Sequence, residues 1–260
     1  MSRQNALRWG AALVGAALSA CAPAVAGPPA CDRPGGVGTY RTLTVQPRSH
    51  VGAAEYAALP LEDKEVVLTF DDGPNPDSTP LILRTLADHC VLATFFPIGA
   101  AARENPGLLN QVIAAGHSMG GHTEGHENLS AMPIAAAEAA MRDGFEPLSD
   151  AGQRPAFFRF PELADSPALL AYADAQGLAV IGVDIDPSDW SGDPPRETLA
   201  RLKAAIIERR RGIILMHDSQ PNTAAFLPDL LAWLRDNGYR VSHIAPATQR
   251  AEPAAAAAAP

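Results

Sequence analysis

The sequence predicts an α/β fold, an irregular (β/α)7 barrel of parallel strands. Three observations predict it. Seven short apolar runs alternate with amphipathic segments, which is the pattern of strand and crossover helix repeated. The length of 260 residues suits one catalytic domain with a sizeable core. The polar residues able to do chemistry fall just after the apolar runs, and so collect at one end of the sheet. An open doubly wound parallel sheet is the alternative assembly of the same units.

Residues 1–26 carry Arg3 and Arg8, then an apolar run over 9–20, then small residues, the layout of an export signal and too short to span a bilayer. Leu18-Ser19-Ala20-Cys21 resembles a lipobox, which would leave Cys21 lipidated and the protein anchored to the envelope. Ala24-Val25-Ala26 before Gly27 fits ordinary cleavage and a periplasmic or secreted product. The lipobox is preferred because it accounts for Cys21.

Removing residues 1–26 leaves 18 basic against 29 acidic residues, a net charge of −11. This argues against nucleic-acid binding and against membrane binding except through a lipid on Cys21. Cys31 and Cys90 remain as a pair that an oxidising compartment could bridge or leave as two thiols. Residues 27–63, with Pro28, Pro29, Gly35, Gly36 and Gly38, read as an N-terminal arm laid over the domain. Residues 64–246 form the domain, and the Ala/Pro tail at 247–260 is expected to lack fixed structure.

Within the domain the predicted strands are 65–70, 93–98, 116–119, 156–160, 178–184, 212–217 and 239–244, rich in Val, Ile and Phe or bounded by Gly and Pro. Between them, Ile82, Leu83 and Leu86 mark an apolar stripe over 79–89, and Leu199, Leu202, Ile206 and Ile207 mark another over 198–209. Asp71 and Asp72 follow the first strand, His122 and His126 the third, and Arg159 ends the fourth. Asp186 follows the fifth, and His217 ends the sixth. One convergent site at the strands' C-terminal ends is therefore expected.

Thr69-Phe70-Asp71-Asp72-Gly73-Pro74 ends a strand in two adjacent carboxylates. It reads as turn chemistry, or as a pair whose repulsion a cation on one member relieves, leaving the other as a base. His122 and His126, at i and i+4, fall on one face of a helical turn and can share a metal ion, or can be exposed capping histidines. His117 reads as a buried histidine rather than a ligand. With Asp72, the two histidines make a three-ligand catalytic site, best suited to Zn2+, with Co2+ or Fe2+ as alternatives. His217 ends an apolar strand where a second proton-transfer group is needed. Arg159 lies among phenylalanines and needs an acidic partner, for which Asp71 is the candidate. Asp186-Pro187-Ser188-Asp189-Trp190 is either a turn with a packed Trp or a further part of the site.

Together these segments resemble the polysaccharide deacetylase family built on the NodB homology domain, carbohydrate esterase family 4, over residues 64–246. The family's TFDDG motif matches Thr69 to Gly73, which implies Asp71 as general base and Asp72 as metal ligand. Its H-[ST]-x-x-H motif matches His122 to His126, implying both as ligands. Its R-x-P-x-G motif matches Arg159 and Pro161, with Arg159 orienting the base. Its D-x-x-D-W motif implies that Asp186 tunes the catalytic histidine and Trp190 walls the acetyl pocket. Its L-x-H motif implies Leu215 as pocket wall and His217 as general acid. The third motif departs from the pattern, with Glu162 and Leu163 where Leu163 replaces the usual glycine. The resemblance implies a monomeric metal-dependent enzyme removing N-acetyl groups from peptidoglycan, an exopolysaccharide or a chitin-like polymer. O-acetyl ester hydrolysis, cleavage of a non-sugar C–N bond, and a non-catalytic envelope glycan-binding protein are the alternatives.

Overall fold

The computed structural model describes residues 33–52, 56–154 and 156–247. The expected leader at 1–26 lies outside the described residues, with Cys21 and both processing sites, as do Cys31 and tail residues 248–260. Cys90 is disulfide-bonded. No helix among the described residues is long and apolar enough to cross a membrane.

The strands run in chain order as β1 (Thr39–Val45), β2 (His50–Val51), β3 (Glu65–Asp71), β4 (Thr94–Phe96), β5 (Ser118–Gly121), β6 (Phe157–Phe158), β7 (Ala179–Ile181), β8 (Gly212–His217) and β9 (Arg240–Pro246). Each ladder is parallel, and from β3 to β9 every strand is joined to the next through helix. Four of the crossover helices begin on proline, at Pro106, Pro167, Pro195 and Pro221, where a fixed φ and a missing N–H cost nothing. The seven predicted strands all form. β4, β6 and β7 are shorter than the apolar runs that announce them, because the ladders end where the chain bends into the site loops.

The path β3, β4, β5, β6, β7 continues into a closed ring. Ile185, just beyond β7, bridges Ile214 of β8, Leu215 N donates to Ile185 O at 2.9 Å, and β8 pairs with β3 along six residues. The molecule is thus an irregular barrel and not an open sheet. Strand alternation sorts its core into two layers. Val66, Leu68, Phe70, Phe95, Phe158, Val180, Ile214 and Met216 face the helices. Val67, Phe96, Phe157, Ile181 and Ile213 meet inside the barrel.

The segment 27–63 is more than a covering arm where it is described. β1 extends the sheet by pairing with β9, and β2 pairs with β7. From β1, Arg41 sends Nε and Nη2 to the two oxygens of Glu65, each at 2.7 Å, at the start of β3. Burial alone would raise the Glu65 pKa. Arg41, the Ser242 hydroxyl and the Glu62 amide reverse that and bring it to about 2. The alternating burial of Thr39–Val45 is the signature of a strand with one covered face.

Candidate active site

The same alternation that fills the barrel builds the site above it. Interior positions read Val67, Thr69, Asp71 along β3, Phe157 then Arg159 along β6, and Ile213, Leu215, His217 along β8, apolar below and polar at the C-terminal end. Asp71 and His217 are register partners on adjacent strands, so their side chains emerge side by side. Asp72 leaves the strand with φ 72°, and its N–H donates to Phe96 O. That left-handed turn brings a second carboxylate to the same place as the first. His122 Nε2 lies 3.8 Å from Asp71 Oδ2 and 3.5 Å from Asp72 Oδ1.

His122 and His126 are brought together by a loop, not by the helical turn that their spacing suggests. Thr123 and His126 have φ of 65° and 63°, and His126 N donates to the Thr123 hydroxyl. The loop is seated by Gly99 N and Ala100 N donating to Thr123 O and Glu124 O. Helix Ile134–Asp150 presses on it at Gly144, where a Cβ would stand 2.3 Å from the Thr123 carbonyl carbon. A glycine in a helix interior, ordinarily a weakness, here permits the close approach.

Asp72, His122 and His126 place one ligand atom each within 4.8 Å of one another. Burial lowers the His122 pKa to about 3 against the pull of Asp72, so the ring is neutral at neutral pH. Its Nδ1–H donates to Arg159 O at 2.8 Å, which leaves Nε2 bearing a lone pair towards Asp72 Oδ1. His126 Nε2 lies 3.7 Å from the same oxygen. That oxygen is buried and has no hydrogen-bond donor among the described residues. A buried carboxylate oxygen facing imidazole lone pairs is the environment a divalent cation satisfies, so the donor set fits a metal.

Arg159 has no exposed surface, and each nitrogen of its guanidinium donates a hydrogen bond. Nη1 donates to Asp71 Oδ1 at 2.7 Å and to Thr69 Oγ1 at 2.8 Å, while Nε and Nη2 donate to Ile181 O and Gly182 O. The Phe96 ring lies 4.4 Å from Cζ. Burial raises the Asp71 pKa, and the charges of Arg159 and His217 oppose it. The result is a carboxylate more basic than one in water yet held in one orientation.

His217 corrects one expectation. Its partner is Asp189, the second carboxylate of the Asp-Pro-Ser-Asp-Trp segment, and not Asp186. His217 Nδ1–H donates to Asp189 Oδ1 at 2.7 Å and its backbone N–H to Oδ2 at 2.8 Å, while the Thr223 hydroxyl also donates to Oδ2. Asp186 is exposed and, among the described residues, accepts only from Ser188 N, closing its own turn. The motif resemblance implied Asp186 alone. The turn at Ser188, with φ 53°, decides which one points inward. Burial works against a charged His217, but Asp189, Asp71 and Asp72 more than compensate and raise its pKa to about 9.

Of the other predicted residues, Pro161 is buried, Leu215 is 8% exposed, and Trp190 is 59% exposed beside the site. His117 is buried, accepts from Ala93 N through Nδ1 and packs on Phe95, away from the ligand cluster. Asp218 was not anticipated. It is buried, accepts from Gly73 N and the Thr79 hydroxyl, and its carbonyl accepts from the Ser78 hydroxyl. It pins the turn that carries Asp72, and any Cβ at position 73 would fall 2.0 Å from its Oδ2, which explains Gly73. A carboxylate directly following the strand-end histidine was the available signal.

Residues 58–181 match the polysaccharide deacetylase family model. The chain is 34% identical over 212 residues to a chitooligosaccharide deacetylase of Sinorhizobium fredii, covering 76% of this chain and 93% of that one. It is 32% identical over 188 residues to a peptidoglycan-N-acetylglucosamine deacetylase of Bacillus cereus, covering 70% of this chain and 87% of the relative. Among solved structures, a peptidoglycan deacetylase of Bdellovibrio bacteriovorus superposes with a TM-score of 0.74 at 30% identity. That match covers 82% of this chain and spans 61% of the length of the other.

Proposed function

Because the chain belongs to the polysaccharide deacetylase family, we propose that it is a metal-dependent hydrolase that removes N-acetyl groups from an acetylated amino-sugar polysaccharide and releases acetate. The observation that carries this reading is the buried, unsatisfied Asp72 Oδ1 facing two imidazole nitrogens, with Asp71 and His217 flanking it. Asp72, His122 and His126 would hold a divalent ion, best suited by zinc with cobalt or iron as alternatives, and when bound it would supply Lewis-acid polarisation of the acetyl carbonyl and ease deprotonation of water.

Asp71 accepts the proton of the attacking water, and Arg159 fixes the carboxylate oxygen that does not take part. His217 turns Nε2 towards the cluster, 4.0 Å from Asp72 Oδ2, because Asp189 engages Nδ1. With a pKa of about 9 it is an imidazolium at neutral pH and can protonate the departing amine. Trp190, Leu215 and Pro161 wall the space for the acetyl group. All of these residues come from one chain, so a monomer suffices. In this reading the enzyme works outside the cytoplasm, as the leader-like first 26 residues suggest.

The raised pKa sets a pH dependence. The acid must be protonated, so activity falls as pH rises through about 9. Asp189→Asn removes the strongest counterweight to burial, and the alkaline limb should move towards the ordinary 6.5 or below. The stabilisation that comes with the raised pKa is present below 6.5 and lost through about 9, so the thermal midpoint should show the same displacement. A pH–rate profile of the variant with an unmoved limb would remove His217 from the acid role.

Acetate assays on N-acetylated chitooligosaccharide, peptidoglycan and O-acetylated xylan test the reading. Release from an N-acetylated glycan supports it. Release from the ester alone, or glycan binding without acetate, rejects it.

A further inference from the structure

Cys90 sits where its backbone favours another residue. It ends helix Thr79–Asp88 in a Schellman turn, with Cys90 N donating to Ala87 O at 3.2 Å and Val91 N to Leu86 O at 2.9 Å. The φ of 54° at Cys90 is left-handed, and glycine is the usual occupant of that position. The side chain is therefore kept for a reason other than the turn. That reason is a covalent one, since Cys90 is disulfide-bonded.

The chain holds two other cysteines, Cys21 and Cys31, and neither is among the described residues. The course of the N-terminal arm distinguishes them. Gly38 N and Thr39 N donate to His89 O and Cys90 O at 2.9 and 3.1 Å, and the Thr39 hydroxyl accepts from Leu92 N at 2.8 Å. The arm thus lies directly against the turn that bears Cys90. Further back along it, Gly36 N donates to Arg33 O, and the guanidinium of Arg33 returns to the same corner, where Nη1 donates to Asp88 Oδ1. Arg33 and Asp88, each two residues from a cysteine, are therefore already paired. Two residues span at most about 7 Å, and a disulfide joins Cα atoms about 5.5–6 Å apart, so Cys31 is within reach of Cys90. Cys21 belongs to the leader-like first 26 residues, well upstream of Arg33.

We infer that Cys31 and Cys90 form a disulfide that latches the N-terminal arm to the end of helix Thr79–Asp88. The bond forms by thiol–disulfide exchange. One cysteine thiolate attacks the disulfide of a thiol oxidoreductase in the export compartment, the other displaces that protein from the mixed disulfide, and the oxidant leaves as a dithiol carrying two electrons and two protons. A reducing cytosol opposes this step, so the latch closes only after export. It secures the arm's share of the sheet, which is β1 on β9 and Arg41 on Glu65 at the start of β3, the strand that leads into Asp71 and Asp72. Export is thereby coupled to consolidation of the strand that carries both carboxylates, although no cysteine belongs to the proposed site.

The test uses the full exported chain and its Cys21→Ser, Cys31→Ser, Cys90→Ser and Cys31→Ser/Cys90→Ser variants. Each is unfolded without reductant and labelled with a maleimide, and the label is located by peptide mass. Cys90 should stay unlabelled in the wild type and in Cys21→Ser, and become labelled in Cys31→Ser. The bridge closes a loop of about 60 residues, so the thermal midpoint should fall by about 10 °C in Cys31→Ser and in Cys90→Ser. The double variant, and the wild type treated with dithiothreitol, should show that same fall and not twice it, because one bond is lost in each case. Labelling of Cys90 in the wild type, a blocked Cys90 in Cys31→Ser, or single-variant falls that add in the double variant would overturn the assignment.

Discussion

Asp71→Asn is expected to lower acetate release by about 10²–10⁴-fold, with His217→Ala causing a loss of similar size. The two residues are register partners on β3 and β8, and each reaches the ligand cluster from a different side. The amide of asparagine has nearly the shape of the carboxylate but cannot accept the proton of water. Removing the imidazole leaves the amine to depart unprotonated. Neither residue is a member of the three-ligand set, so both variants should bind one metal ion per chain as the wild type does. Metal content measured alongside acetate release makes the comparison decisive. A variant that keeps its metal and near-normal activity would remove that residue from the mechanism.

Arg159→Met is expected to cost about 3–5 kcal/mol of stability, because it leaves the buried Asp71 carboxylate without its cation. Methionine approximates the length of the lost side chain, so the loss reads the charge and its hydrogen bonds more than a cavity. The same change orphans Ile181 O and Gly182 O, which accept from the guanidinium. Adding Asp71→Asn to Arg159→Met should recover part of the loss, since the pair is then removed together. Denaturant midpoints of the two single variants and the double variant check this. A single-variant loss below about 1 kcal/mol would show that the pair is not holding the base in place.

Much of the barrel was legible because its strands are buried on both faces and so read as unbroken apolar runs, Val66 to Phe70 and Ile213 to Met216 being the clearest. The site was legible for a related reason, since parallel strands expose their C-terminal ends together and only polar residues there can meet a ligand. What escaped depended on single dihedral angles or on very short elements. Thr39–Val45 reads Thr-Tyr-Arg-Thr-Leu-Thr-Val, rich in β-branched and aromatic residues, a strand signal masked by the glycines and prolines before it. His50–Val51 is two residues long and carries no signal of its own. The spacing of His122 and His126 fits a helical turn equally well, and only the left-handed φ values at Thr123 and His126 distinguish the loop. The motif pointed to Asp186, and the left-handed φ of Ser188, which separates it from the Asp189 that pairs with His217, carries no sequence signal.

The most direct test of the account is acetate release from the N-acetylglucosamine tetramer by protein stripped with chelator and then titrated with zinc, followed in parallel for His122→Ala. Activity is predicted to vanish on stripping and to return in proportion to bound zinc, saturating at one ion per chain, while His122→Ala binds zinc weakly and regains little. Full activity in the stripped protein, or restoration of His122→Ala to the wild-type level at the same zinc concentration, would contradict a catalytic metal on Asp72, His122 and His126.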